Sequence, residues 1–285
     1  MITKSNTHCV IVLYRPSADV LGNIRSHIEH VSRLYIVDNT ETPDPEIAAK
    51  LKKLQGAEYI PVGGNKGIAW ALNKGARLAI ENKAEWLLTM DQDSVFEGDM
   101  YRRFTDTANR LIDESVALFS PYHHTTGDLM FNTEWDVIDA EMTSGNLLLL
   151  SAYQKTEGFN NDLFIDYVDW DFCLQLRVLG FRLFRLNHVI LLHHLGEAAR
   201  SSVLGVKGIA THHSPLRRYY ITRNRMYVWK HYGSRFRDLY IRDSKAFRKE
   251  LLKIIFFEKD KLKKLKMVFR GYRDFKKNRF GVYGE

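Results

Sequence analysis

The stretch LLTMDQDSVF, residues 87–96, decides how this chain is read. Leu87 to Met90 read as the end of a buried strand, which then terminates on two carboxylates, Asp91 and Asp93, one position apart. Two carboxylates that close stay ionised together only beside a counter-charge, and a divalent cation supplies one. Mg²⁺ or Mn²⁺ prefers a few carboxylate oxygens, retained waters and phosphate oxygens to an all-protein cage, so an acidic loop at a strand end suits a platform for metal and diphosphate. Taken alone, Asp-x-Asp more often marks an exposed turn or a helix cap; its place at a strand end carries the functional reading.

Working outward, HCVIVLY, RLYIVDN, AEYIPVG, EWLLTMD and VALFSPY read as strands. Between the third and fourth, NKGIAWALNKGARLAIENK sets Ile68, Ala71, Leu72, Ala76 and Ala79 at helical spacing. Strand and helix in alternation predict an α/β fold with a mostly parallel sheet covered on both faces. Ligands of such sheets sit at the carboxyl ends of the strands. Asp38 ends one strand, Gly63, Gly64 and Asn65 follow another, and Asp91 and Asp93 follow a third, so all are expected at one edge. Downstream come TSGNLLLLSAY, a helix from about Val168 to Val178 stopped by Gly180, strand-like FRLFRLNHVILLHHLG, and helical pattern from HHSPLRRYYITRNR onward.

The totals narrow the class. With 285 residues, 45% apolar and 12% aromatic, the chain can fill a large core. Two cysteines, Cys9 and Cys173, both among apolar neighbours, argue against a disulfide framework or a thiolate metal cage and fit a reducing cytoplasm. No run reaches the roughly 18 uncharged apolar residues of a membrane span, and the N-terminus has no signal-peptide pattern, so a cytoplasmic protein is expected. From Ser214 on, 22 Lys and Arg face 7 Asp and Glu, whereas the first 213 residues carry 20 against 27. The basicity belongs to the tail. No linker or repeat breaks the chain, which predicts a catalytic domain over 1–213 and a basic, amphipathic helical extension over 214–285 packed on it.

A second acidic group, FIDYVDWDFCLQLR, places Asp166, Asp169 and Asp171 at the start of a helix, where carboxylates ordinarily cap or pair locally. The histidine pairs at 123/124, 193/194 and 212/213 suggest zinc, but neighbours on a strand point to opposite faces, so each pair offers at most one ligand.

The ordered set VIVLYRP, YIVDN, GGNKGIAWALNKG, MDQDS, TSGNLLL, FIDYVDWDFCLQLRVLGF and LLHHLG resembles the family 2 glycosyltransferases, which have the GT-A fold. HHSPLRRYYITRNRMYV is similar to their bacterial rhamnosyltransferase branch, which builds O-antigens and related surface polysaccharides from dTDP-L-rhamnose. The resemblance covers roughly residues 8 to 232. It implies that Val12, Tyr14, Arg15 and Pro16 line the nucleotide pocket with Asp38, which accepts a hydrogen bond from base or ribose. Asn65, Lys66 and Gly67 match the loop that contacts the nucleotide, at a helix N-terminus that also suits an anion. Asp91 and Asp93 match the metal motif, and His194 matches a histidine that completes the metal or diphosphate site. Asp169 matches the catalytic base of a motif usually written Glu-Asp; Val168 stands here in place of the Glu. Arg223, in the arginine-rich segment, would contact the diphosphate.

What the resemblance implies chemically is an inverting transfer. Asp169 accepts the acceptor's proton, a Mg²⁺ or Mn²⁺ on Asp93 holds the departing diphosphate, and direct displacement inverts the anomeric carbon. The partners implied are a nucleotide-sugar donor and a lipid-linked or growing glycan acceptor, with no nucleic acid. Rival readings are a family 2 enzyme using a UDP-hexose, a sugar-phosphate nucleotidylyltransferase, and a non-catalytic nucleic-acid-binding protein. The nucleotidylyltransferase wants a glycine-rich loop after the first strand, where this chain has VLYRPSADV; the nucleic-acid binder would exploit the basic tail. That tail, with Leu251, Leu252, Ile254, Ile255, Phe256 and Phe257 among lysines, reads either as an amphipathic helix packed on the catalytic unit or as one lying on the anionic inner leaflet.

Overall fold

A computed structural model describes residues 1–124, 131–193, 199–203, 206–210 and 213–284, with the backbone alone for 193, 199–203 and 206–210. The chain divides into two compact units, residues 1–161 with 169–194 and residues 162–168 with 195–285. The first unit contains, in order, β1 (Thr7–Leu13), α1 (Val20–Arg25), β2 (Arg33–Asp38), α2 (Pro45–Lys52), β3 (Ala57–Pro61), α3 (Ile68–Glu81), β4 (Trp86–Asp91), β5 (Ser94–Phe96), α4 (Met100–Leu111), β6 (Val116–His124), β7 (Trp135–Ile138), β8 (Asn146–Leu149), α5 (Leu150–Tyr153), α6 (Val168–Val178) and β9 (Arg182–His193).

These strands form a nine-stranded sheet in the order β3-β2-β1-β4-β8-β6-β9-β5, with β7 also paired to β9. β3, β2, β1 and β4 run parallel, as the alternation of strand and helix predicts; β8 and β5 join antiparallel. β1 is buried almost end to end, so both its faces are covered. Its Val10 faces α3, where Gly75 allows contact: a Cβ at Gly75 would lie 2.3 Å from Val10 Cγ2. Cys9, Ile11 and Leu13 point the other way. They share a core with Ile24 of α1, Leu51 of α2 and Phe104 of α4.

The second unit holds an antiparallel hairpin, β10 (Ala199–Val203) with β11 (Val206–Ala210), and three helices, α7 (Pro215–Tyr232), α8 (Arg237–Phe256) and α9 (Lys261–Lys276). Ser214 caps α7 by accepting the Arg217 N–H at 3.2 Å, with Pro215 at the first helical position. Gly271 lets α9 approach the α7 backbone, since a Cβ there would lie 2.5 Å from the Tyr219 carbonyl oxygen.

The sequence reading put the domain division between 213 and 214. The second unit instead begins earlier and takes in residues 162–168, because α7 holds that segment. Asn224 Nδ2 donates to the carbonyls of Leu163, Ile165 and Asp166 at 2.8, 2.7 and 2.9 Å. Arg217 forms an ion pair with Asp166 at 3.0 Å. Within the segment Phe164, Asp166 and Tyr167 take left-handed backbone angles of 64°, 63° and 64°, a conformation that persists only where its surroundings fix it.

Candidate active site

Register places the strand-end carboxylates on one edge. Leu13 pairs with Asp38 across β1 and β2, Asp38 pairs with Pro61 across β2 and β3, and Val12 pairs with Asp91 across β1 and β4. Adjacent strands lie about 4.8 Å apart, so Asp38 and Asp91, two strands apart, are separated by about 10 Å along the edge. That span suits a ligand with a base at one end and phosphates at the other.

On the β2 side Asp38 is buried, with Oδ1 accepting the Thr40 N–H at 2.9 Å and Oδ2 the Tyr59 hydroxyl at 2.6 Å. Burial, then the Asp38 carboxylate beside it, holds the Tyr59 hydroxyl well above the usual phenol range. A carboxylate has about four lone-pair sites, so a further donor can still reach Asp38. Next to it, Asn39 Nδ2 donates to the Gly67 carbonyl at 3.1 Å, while Asn39 Oδ1 is buried without a hydrogen-bond partner among the described residues. Gly67 has a left-handed φ of 87° that suits glycine, and Asn65 Oδ1 accepts its N–H at 3.0 Å. Lys66 lies over the Trp70 ring at 4.8 Å, at the open N-terminus of α3.

The acidic loop and the loop after β1 are clipped together by Gln92. Its Oε1 accepts the Tyr14 N–H at 2.9 Å, its Nε2 donates to the Tyr14 carbonyl at 3.3 Å, and its own carbonyl accepts from Asn23 at 2.7 Å. Arg15 donates its backbone N–H to Thr40 Oγ1 at 2.8 Å and pairs with Glu41 at 3.1 Å. Asp93 and Pro16 both line a cavity of about 330 Å³ with Ser17, Asp19, Asn23 and Gln92. Val12, Tyr14, Arg15, Pro16, Asp91 and Asp93 are therefore gathered around the β1 and β4 ends.

Behind the acidic loop stands the turn before β8. Thr89 Oγ1 donates to the Thr143 carbonyl at 2.5 Å, and the Gly145 N–H donates to the Thr89 carbonyl at 2.6 Å. Buried Ser144 accepts the Asp91 N–H at 3.1 Å and donates to Ser94 Oγ at 2.8 Å, bracing the loop at both ends. The Ser144 carbonyl in turn lies 2.6 Å from His123 Nε2, whose ring sits 3.7 Å from Glu141. Burial pushes the Glu141 carboxyl up, with Arg185 3.6 Å away pulling it back down.

Asp169 sits in the first turn of α6, its Oδ1 accepting the Trp170 N–H at 2.8 Å. It lines a small cavity with Thr89, Thr143, Asn146 and Cys173. Thr89 and Asp91, two residues apart on β4, face the same side of the sheet, so Asp169 and Asp91 belong to one face. Asn73 of α3 anchors the approach to α6 by donating to the Phe159 carbonyl at 2.7 Å and accepting from the Tyr153 hydroxyl at 2.8 Å.

Arg223 corrects the sequence reading. It is fully buried in the second unit, and its guanidinium donates to the carbonyls of Gly281, Asp162 and Leu163 at 2.7, 3.0 and 3.1 Å and to Asn224 Oδ1 at 3.0 Å. A group committed to four internal acceptors is not available to a diphosphate. His194 lies outside the described residues. Among those described, no three His, Cys, Asp or Glu side chains gather as a metal cage. The Asp91 and Asp93 oxygens still fit a hard cation that keeps waters and takes phosphate oxygens.

Sequence reasoning passed over Asn39, Asn73, Gln92 and Ser144. All four lie within the motifs YIVDN, GGNKGIAWALNKG, MDQDS and TSGNLLL, but their hydrogen-bonding roles depend on partners far along the chain.

An Asp-x-Asp loop at the carboxyl edge of such a sheet is the arrangement of the GT-A fold. Solved structures agree in fold. S. aureus TarS 1–349 with UDP-GlcNAc is 12% identical, at a TM-score of 0.61, covering 96% of this chain and 81% of that one. GalNAc-T7 with UDP, GalNAc and Mn²⁺ is 10% identical, at a TM-score of 0.58, covering 81% of this chain. The chain spans only 49% of that GalNAc-T7 chain. The chain belongs to glycosyl transferase family 2, whose model matches residues 9–167, more than half its length. Within the family it is similar to the dTDP-rhamnosyl transferase RfbF of Shigella flexneri, 26% identical over 78% of this chain and 79% of that relative.

Proposed function

We propose that this glycosyltransferase moves L-rhamnose from dTDP-L-rhamnose to a hydroxyl of a lipid-linked or growing surface glycan of the O-antigen type, at the inner face of the cell membrane. The observation that carries the reading is the single sheet edge shared by Asp38, Asp91 and the Asp93 loop, with Asp169 on the Asp91 face of β4. The likeness to RfbF supports the donor, and the UDP-containing structures of TarS and GalNAc-T7 support a nucleotide-sugar site.

Val12, Tyr14, Arg15, Pro16 and Asp38 take the nucleoside, and Asn65, Lys66 and Gly67 approach it from the start of α3. Asp91 and Asp93 would hold Mg²⁺ or Mn²⁺, with His194 as a further ligand. A cation bound there would supply neutralisation of the charge that develops on the leaving diphosphate. Asp169 takes the proton of the acceptor hydroxyl as its oxygen attacks the anomeric carbon. The bond from that carbon to the phosphate oxygen breaks on the opposite side, and its electron pair leaves with the nucleoside diphosphate. Val168, buried, leaves the position before the base without a carboxylate. Holding donor and acceptor in line supplies much of the acceleration.

The test is a donor panel with Mg²⁺ or Mn²⁺ and a glycan acceptor, read as nucleoside diphosphate released. Release from dTDP-L-rhamnose alone is the expected result. Release from UDP-hexoses instead keeps the family and discards the rhamnosyl reading.

A further inference from the structure

α8 and α9 have no part in that chemistry, yet they carry strongly exposed apolar side chains. Setting aside Met1, the four most exposed large apolar side chains among the described residues are Leu262 at 84%, Phe269 at 67%, Phe256 at 57% and Leu252 at 53%. Leu252, Ile255 and Phe256 make one stripe at the end of α8; Leu262, Phe269 and Tyr272 make one along α9. Only Phe257–Asp260 separate the two helices. Of the apolar residues singled out in the tail, Ile254 is instead buried and serves the interior.

Charge is sorted across the same helices. Glu250 pairs with Arg225 at 2.9 Å and Arg218 at 3.4 Å, and Glu258 with Arg218 at 2.5 Å and Lys264 at 2.7 Å. Asp274, also buried, accepts the Tyr219 hydroxyl at 3.1 Å. Among the described acids of α8, α9 and the turn between them, the exposed ones are Asp238 at the start of α8 and Asp260 in the turn, which lies 3.5 Å from Lys263. Exposed Lys266, Arg273 and Lys276 fall by helical spacing on the same arc of α9 as Leu262 and Phe269. Apolar patches this exposed mark interaction sites, and this one is interleaved with cations.

We infer that this face docks on an anionic lipid bilayer, with Leu262 and Phe269 entering the headgroup layer and Lys266, Arg273 and Lys276 meeting lipid phosphates. The composition selects that occupant. Leu252, Ile255 and Leu262 offer no π-face for base stacking, whereas the acyl–headgroup boundary takes aliphatic and aromatic groups alike. A second copy would oppose this basic face to itself. The inference deepens the reading of a lipid-linked acceptor, but vesicle binding needs neither donor nor acceptor, so its failure would leave the transferase reading standing.

The experiment is co-sedimentation of the full chain with phosphatidylcholine vesicles, with and without phosphatidylglycerol. The protein should pellet with the mixed vesicles and stay in solution with phosphatidylcholine alone. The double variant L262S/F269S, its helix content checked by circular dichroism, should partition about tenfold more weakly. K266E/R273E should lose the dependence on phosphatidylglycerol. Absence of pelleting by the unaltered protein, equal pelleting by either double variant, or binding to duplex DNA in preference to mixed vesicles would overturn the proposal.

Discussion

Ser144 accepts the backbone N–H of Asp91 at 3.1 Å and is itself buried, so the first carboxylate of the acidic loop is set from behind by a side chain that is not acidic. The same hydroxyl donates to Ser94 at 2.8 Å, at the far end of the loop. The loop between them therefore has little freedom.

Ser144→Ala should lower kcat/KM for transfer about tenfold to a hundredfold, the usual effect of losing a group that orients a ligand set. The fold should survive, with about 1 kcal/mol lost. Steady-state kinetics beside a urea melt checks both halves.

Gly145→Ala should be far more damaging to stability. Its φ is +78°, and a Cβ there would meet Pro121 Cγ at 2.7 Å and Leu191 Cδ2 at 2.9 Å. Strained backbone and overlap together should cost about 3 kcal/mol, read as a shift of the chemical denaturation midpoint.

His27 should make stability depend on pH. Burial above all, with His30 adding to it and the Asn23 carbonyl opposing, lowers its pKa from 6.5 to about 4. Between those values the unfolded chain binds the proton and the folded chain does not, so this contribution is complete above about pH 6.5 and is lost as pH falls toward 4. The loss reaches about 3 kcal/mol. His27→Gln should flatten that part of a melting-temperature profile taken from pH 7 to pH 4.

Arg223→Ala should destabilise the second unit without touching donor affinity. Removing the guanidinium strands buried carbonyls at about 1–3 kcal/mol each. Arg223→Lys should not restore stability, because an ammonium lacks the planar fork that reaches Gly281, Asp162 and Leu163 together. Calorimetric melting, with nucleotide titration at a temperature where the variant stays folded, separates this from a diphosphate contact.

Much of the first unit was legible because its signals are local. The apolar runs ending on Asp38 and Asp91 are β2 and β4, and the stripe from Ile68 to Ala79 is α3, all where the sequence set them. β7, only four residues long and half-exposed, gave no such run. The burial of Arg218, Arg223 and Arg225 was hidden for a different reason. Their partners stand up to 61 positions away in sequence, and an arginine reads the same whether it faces solvent or a buried carbonyl. Ser144 and Gln92 escaped likewise, since a bracing hydrogen bond leaves no periodicity.

In the proposed reaction Asp169 takes the acceptor's proton beside a donor held at the Asp91 and Asp93 edge. Single-turnover transfer by Asp169→Asn, with donor binding measured on the same sample, tests it most directly. Donor binding should be unchanged and transfer slowed at least a hundredfold, within the roughly 10²–10⁴ range for loss of a general base. Transfer near the unaltered rate by a correctly folded Asp169→Asn protein would contradict it.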